Sequence, residues 1–139
     1  MGAVKSAYAS SEYMLYYIER EEYDNIKKLV KKKPEVLEAS ITKNTKMTPL
    51  YRACFNGDLK MVKFFVEECG ADVNHLTQKG ESPLIVSVQR NHKEIIRYLL
   101  ERGADVNIVS PSGLSAIEYA ILPGYYEVAL LLYERIKNK

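Results

Sequence analysis

Histidine and cysteine titrate closest to neutrality, so they are the first places to look for acid–base or nucleophilic chemistry. This 139-residue chain carries two of each. Neither His75 nor His92 has a sequence neighbour that would make it a metal ligand or a general base. Cys54 and Cys69 lack CxxC spacing and a paired histidine, and read as reduced packing cysteines of an intracellular protein. There is no phosphate-cradling glycine loop, no HExxH and no nucleophile elbow. The sequence therefore reads as a protein that is not an enzyme, needs no cofactor or metal, and takes no small-molecule substrate.

Two further spacings carry chemistry of another kind. Met1-Gly2-Ala3-Val4-Lys5-Ser6 matches the acceptor pattern for N-myristoylation at Gly2. A single acyl chain holds a protein only marginally on a bilayer, so a second attraction is required. Lys27, Lys28, Lys31, Lys32 and Lys33, five lysines within seven positions, could supply it. The competing reading of these lysines is preferred: a solvated helix face and helix C-terminus, where cations complement the backbone dipole. Nucleic-acid binding through them is disfavoured, because Glu19, Glu21, Glu22 and Asp24 lie close by and weaken the field.

The elements that must position these residues are short amphipathic helices. Hydrophobic residues at 47% and charged residues at 27% are ordinary for a globular protein, and the length suits one domain. The net charge of +2 advertises no nucleic-acid partner. No apolar run of about 18 residues and no secretory leader pattern is present, which points to the cytoplasm, with membrane association through the lipid as the variant. Residues 1–11 read as a flexible, extended arm without helical periodicity, and residues 12–139 as one domain. Ser11 is placed to cap a helix over 12–20, and a second helix runs from Tyr23 or Asp24 to about Lys32, where Pro34 stops it. Helices follow at about 49–56, 59–67, 83–90 and 93–102, with Val128, Leu131 and Leu132 continuing a packed face in the last segment.

The helices recur in pairs. Thr48-Pro49-Leu50 opens a unit that closes on Gly70-Ala71-Asp72-Val73-Asn74, and Ser82-Pro83-Leu84 opens another that closes on Gly103-Ala104-Asp105-Val106-Asn107. The prolines are 34 residues apart and the closing glycines 33. This period and opening resemble the ankyrin repeat. The resemblance implies an all-α solenoid of about four ankyrin repeats, near 12–44, 45–77, 78–110 and 111–139, with helix-turn-helix units and β-hairpin-like finger loops. The outer two units are divergent, as terminal repeats are. His92 falls where such repeats commonly carry a histidine, in a structural role. Lys46 falls where the finger usually has glycine, so a distorted or looser turn is expected there. Cys69 is one residue more than the third unit has before its closing glycine, and predicts a bulge at the helix end. Tyr13, Tyr16, Tyr17 and Tyr23 read as a cover over the first unit. The charged finish from Tyr133 to Lys139 reads as a C-terminal cap, giving a complete chain that is monomeric outside any complex.

The resemblance also implies a protein partner held on a concave face lined by fingers and the first helix of each pair. Finger positions fall at Met47, Leu76, Gln78, Lys79, Glu81, Val109, Pro111, Ser112 and Leu114. Inner-helix positions fall at Phe55, Asn56, Gln89, Arg90 and Leu122, with Tyr51, Ile85 and Glu118 where the family often has histidine. Phe55, Tyr51 and Arg90 are of the types that most often carry binding energy. Alanine at Phe55 and Arg90 is expected to weaken partner capture and leave stability intact.

Overall fold

Proline cannot continue a helix but suits its first turn, and a hydroxyl just before it can accept one of the turn's unpaired amides. The chain uses this arrangement repeatedly. Thr48 accepts from the amide of Tyr51 and starts α3 (Pro49–Asn56), and Ser82 accepts from Ile85 and starts α5 (Pro83–Gln89). In the fourth unit Ser115 and Glu118 form a reciprocal capping box at the start of α7 (Ala116–Ile121). Each cap contributes about 1 kcal/mol. The computed structural model describes residues 3–138, with side chains from Ser10 onward.

The second helix of each pair follows a tight reversal. These are α2 (Tyr23–Lys32), α4 (Leu59–Lys63), α6 (Lys93–Glu101) and α8 (Tyr126–Lys137). Every reversal turns on one left-handed residue: Glu21, Gly57, Asn91 and Gly124 have φ of 54°, 74°, 56° and 86°. Gly57 is held to glycine twice over, since a Cβ there would lie 2.7 Å from the His92 ring. The inner helices stack α3 on α5 and α5 on α7, while α4 packs on α6 and α6 on α8. Leu50, Cys54, Met61, Val62, Phe65, Val88, Ile95, Ile96 and Leu99 form the continuous core between them.

The sequence motifs have visible jobs. In each Gly-Ala-Asp-Val-Asn the aspartate folds back on the chain, accepting from the amide of Asn74 or Asn107 at 2.9 Å. Asn74 then reaches into the next unit, donating to the Gly103 carbonyl and accepting from the Asp105 amide. The additional residue before Gly70 is absorbed by widening one turn: α4 continues as a π-helix over Phe64–Glu68, with the Cys69 amide donating to the Phe64 carbonyl.

Three expectations are corrected. Residues 1–11 do not form an extended arm over their described part, because α1 (Ala3–Glu19) is helical from Ala3. The periodicity is weak there, but the stretch is rich in alanine, the strongest helix former, and lacks glycine and proline after Gly2. The first finger is not loose: Lys46 adopts the left-handed conformation, with φ of 56°, and Ile41 donates to the Met47 carbonyl at 2.7 Å across the turn. This finger is instead two residues longer than the others, which close from Thr77 to Glu81 and from Ser110 to Leu114. Finally, the last helix carries the expected charged finish, with Glu134, Arg135 and Lys137 exposed, but its outward side also bears apolar residues. Tyr126, Leu130 and Tyr133 stand exposed there, four and three residues apart, so they share one face.

Candidate functional site

The second and third fingers and the inner helices α3, α5 and α7 enclose a cleft of about 330 Å³. Its walls include Tyr51, Lys79, Glu81, Gln89, Ser112 and Tyr119. Each finger is braced by a hydroxyl at its base. Thr77 Oγ1 accepts from the amides of Lys79 and Glu81, both at 3.2 Å, and Ser110 Oγ accepts from that of Ser112 at 3.2 Å. Each is also tied to an inner-helix tyrosine. Tyr51 Oη donates to Glu81 Oε2 at 3.1 Å, and Tyr119 Oη lies 2.8 Å from Ser110 Oγ. Burial raises the Tyr51 pKa, and the neighbouring Glu81 charge raises it further, so the phenol remains a neutral donor. Such bonds are formed before any partner arrives, so the cleft is preorganised.

The sequence-predicted positions divide by burial. Lys79, Gln89 and Ser112 are exposed and line the cleft, whereas Asn56, Leu76, Gln78, Arg90, Val109 and Leu122 are exposed but are not among its walls. Tyr51 is buried and offers a partner little beyond the edge of its ring, because its hydroxyl is already engaged. Met47, Glu81 and Leu114 are half-buried. Phe55 is half-buried and packs on the core, with the Arg90 guanidinium 4.2 Å from its ring centroid. This corrects the expectation that Phe55→Ala leaves stability intact, and the ring contact extends the correction to Arg90. Sequence reasoning missed Tyr119 and Ser110, although Ser110 stands 33 residues after Thr77 and could have been found from that period.

The remaining chemical candidates take structural places. His92 Nε2 lies 3.3 Å from the Phe55 carbonyl, tying the third unit to the second rather than capping its own helix. His75 Nδ1 lies 3.5 Å from Glu38. Both cysteines are free thiols; burial pushes Cys54 up to about 12 and Cys69 up to about 11, far from the thiolate that reactivity requires. Among the described residues no group of three or more His, Cys, Asp or Glu could hold a metal ion, and no helix is long and apolar enough to cross a membrane. Of the lysine cluster on α2, Lys27, Lys28, Lys31 and Lys32 are exposed and Lys33 is half-buried; Lys27 pairs with Glu68 at 3.3 Å. Gly2 lies outside the described residues.

Stacked helix pairs with braced fingers define an α-solenoid. Residues 69–139 match the family pattern described as ankyrin repeats (3 copies), and residues 45–75 match that of an ankyrin repeat. The chain belongs to the ankyrin-repeat family. Over 82 residues it is 33% identical to the ankyrin and armadillo repeat-containing protein of Mus musculus, a match that covers 57% of this chain and 6% of the mouse protein. Over 52 residues it is 36% identical to BTB/POZ domain-containing protein 3 of Schizosaccharomyces pombe, covering 37% of this chain and 10% of that protein. The chain thus spans a small part of each relative. Ankyrin repeats are protein-interaction modules and are typically non-catalytic.

Proposed function

We propose that the protein is a non-enzymatic binding module of the cell interior, an adaptor, inhibitor or subunit, that holds a protein partner on its concave face. The observation that carries this is the cleft whose walls are fixed by the Tyr51–Glu81 and Tyr119–Ser110 bonds and include Lys79, Gln89 and Ser112. A polypeptide laid across it would meet polar groups from Gln89, Lys79 and Ser112 and apolar ones from Pro111 and the Tyr119 ring, a mixture suited to recognition rather than to general stickiness. Little ordering entropy is lost on the module's side, because the fingers are already braced.

The test is capture of partners at native level by the full chain, with the co-purifying proteins counted by mass spectrometry. Arg90→Glu and Gln89→Ala are expected to weaken capture at least about tenfold. Gln89 is exposed, so Gln89→Ala should leave the melting temperature unmoved, whereas Arg90→Glu also gives up the contact over the Phe55 ring and should lower it slightly. Capture unaffected by both would sink the concave-face reading.

A second reading is a membrane-tethered protein. It is favoured by the exposure of Lys28, Lys31 and Lys32 on α2, beside an N-terminus that matches the acylation pattern. The intact mass of natively produced protein decides it: Met1 loss plus a fatty-acyl increment supports it, and a mass without acyl removes its basis.

A further inference from the structure

The fourth repeat ends in a face that repeats two and three bury. Positions equivalent between repeats three and four are 33 residues apart, so Val88, Ile96 and Leu100 correspond to Ile121, Ala129 and Tyr133. Val88 and Ile96 are 0% exposed and Leu100 1%, whereas Ile121 is 52% and Tyr133 51% exposed. The rim positions change in the same sense. Lys93 and Arg97 both reach Glu127 of the next repeat, at 2.7 and 2.9 Å, and Lys63, one repeat earlier, lies 5.7 Å from the Tyr98 ring of its neighbour. The fourth-repeat counterparts of Lys93 and Arg97 are Tyr126 and Leu130, 75% and 61% exposed. A repeat surface that met water would be expected to carry polar residues at these places. Here the cations of the inner repeats are replaced by apolar and aromatic side chains.

We infer that this end face, centred on Leu130 of α8 and flanked by Ile121 of α7, is an interface that pairs with the same face of a second copy of the chain about a twofold axis. Continuity is the first support: the face extends the interface by which each repeat already packs on the next. Size is the second. With Leu122 and Ile136 at its margins, the face exposes roughly 700 Å² at ~200 Å² per fully exposed large side chain. That exceeds the ~300–600 Å² of the largest apolar patch on an ordinary monomer. It approaches the ~800 Å² that each partner of a stable complex contributes. Charge is the third. Exposed Glu127 and Glu134 lie three and four residues from Leu130 on its own face, and they are countered by Lys93 and Arg97, which reach Glu127, and by Lys137 one turn beyond Tyr133. A patch can meet its own copy only if the meeting creates no net repulsion. Tyrosine is also suited to the role, because the chain already joins repeats by tyrosine hydroxyls donating to glutamates, Tyr51 to Glu81 and Tyr98 to Glu67. In an antiparallel pairing of two α8 helices about Leu130, Tyr126 of one copy comes opposite Glu134 of the other.

Sedimentation equilibrium of the full chain across about 1–100 μM tests the pairing, a range that brackets micromolar affinity. The expected result is a concentration-dependent rise from monomer to dimer mass that stops there. Leu130→Glu, at an exposed position, should weaken the association at least tenfold with an unchanged melting temperature, since two buried charges would face each other across the axis. Tyr13→Glu, on α1 at the opposite end, should leave it unchanged. A monomer throughout that range overturns the inference, as does an association untouched by Leu130→Glu. A mass that keeps growing with concentration overturns it too, because head-to-tail contact of unlike ends makes open chains rather than pairs.

Discussion

The concave cleft and the end face are built from neighbouring parts of the same stack by opposite means. In the cleft the walls are set by bonds within the chain: Thr77 and Ser110 hold their own turns, and Tyr51 and Tyr119 hold the fingers to the inner helices. The end face holds its side chains by packing on the helix alone, with Tyr126 and Leu130 among the most exposed large residues of the protein. The first surface can discriminate, since a partner must match fixed donors and acceptors or leave them unpaired. The second can attract, since apolar area rewards any shape that excludes water. The two surfaces would therefore respond differently to perturbation.

The largest effect should come from the core that both share. Leu99 is fully buried between the helix layers, and Leu99→Ala is expected to cost about 2–5 kcal/mol. Chemical denaturation should show the loss, and partner capture and self-association should decline together. If only one of them declines, the two surfaces are not supported by a common scaffold.

Gly57→Ala should come next, and should touch the cleft side more than the end. The new Cβ would meet the His92 ring at 2.7 Å in a backbone conformation that disfavours side chains, with φ of 74°. A cost of about 1 kcal/mol or more is expected. Adding His92→Ala should return part of it, since the collision goes while the backbone strain stays. A double variant less stable by the full sum of the two changes would mean that the ring moves aside freely.

The smallest effect is a pH dependence on the outer side. Tyr98 donates to Glu67 at 2.7 Å, and burial first, then this bond, pushes its pKa up to about 12. The folded value lies above the ordinary one near 10, so the neutral phenol stabilises the fold fully below pH 10 and progressively less as pH rises towards 12. Denaturation midpoints measured from pH 9 to 12 should fall less steeply for Tyr98→Phe than for the natural chain. Identical slopes would show that Tyr98 ionises without consequence for folding.

Much of this was legible in the sequence, and the boundary is physical. The openings at Thr48-Pro49-Leu50 and Ser82-Pro83-Leu84 and the stop before Pro34 are local events, written in residues whose backbone chemistry is specific. α3 was predicted at Pro49–Asn56, as observed. The bulge anticipated from Cys69 is present as the π-turn. What could not be read was whatever depends on a neighbour. Tyr51 looked like a surface anchor, but its hydroxyl is consumed by Glu81, thirty residues away. Phe55 looked exposed until Arg90 of the next repeat was seen over its ring. The charged residues at the chain's end suggested a polar cap, whereas the apolar face of α8 emerges only when its positions are aligned with ones that another repeat buries. Helix α1 was missed for a different reason, since an alanine-rich segment can be helical without showing the period of a buried face.

The widened turn at Phe64–Glu68 bears on what the stack counts. One extra residue in a regular helix would rotate everything after it by about 100° and carry Ala71 and Val73 out of the core. Because the turn takes up the surplus, both remain buried and Asn74 still meets the next loop. Angular phase, rather than the number of residues between one proline and the next, is thus the quantity handed from repeat to repeat, and a length of 33 or 34 is only its commonest spelling.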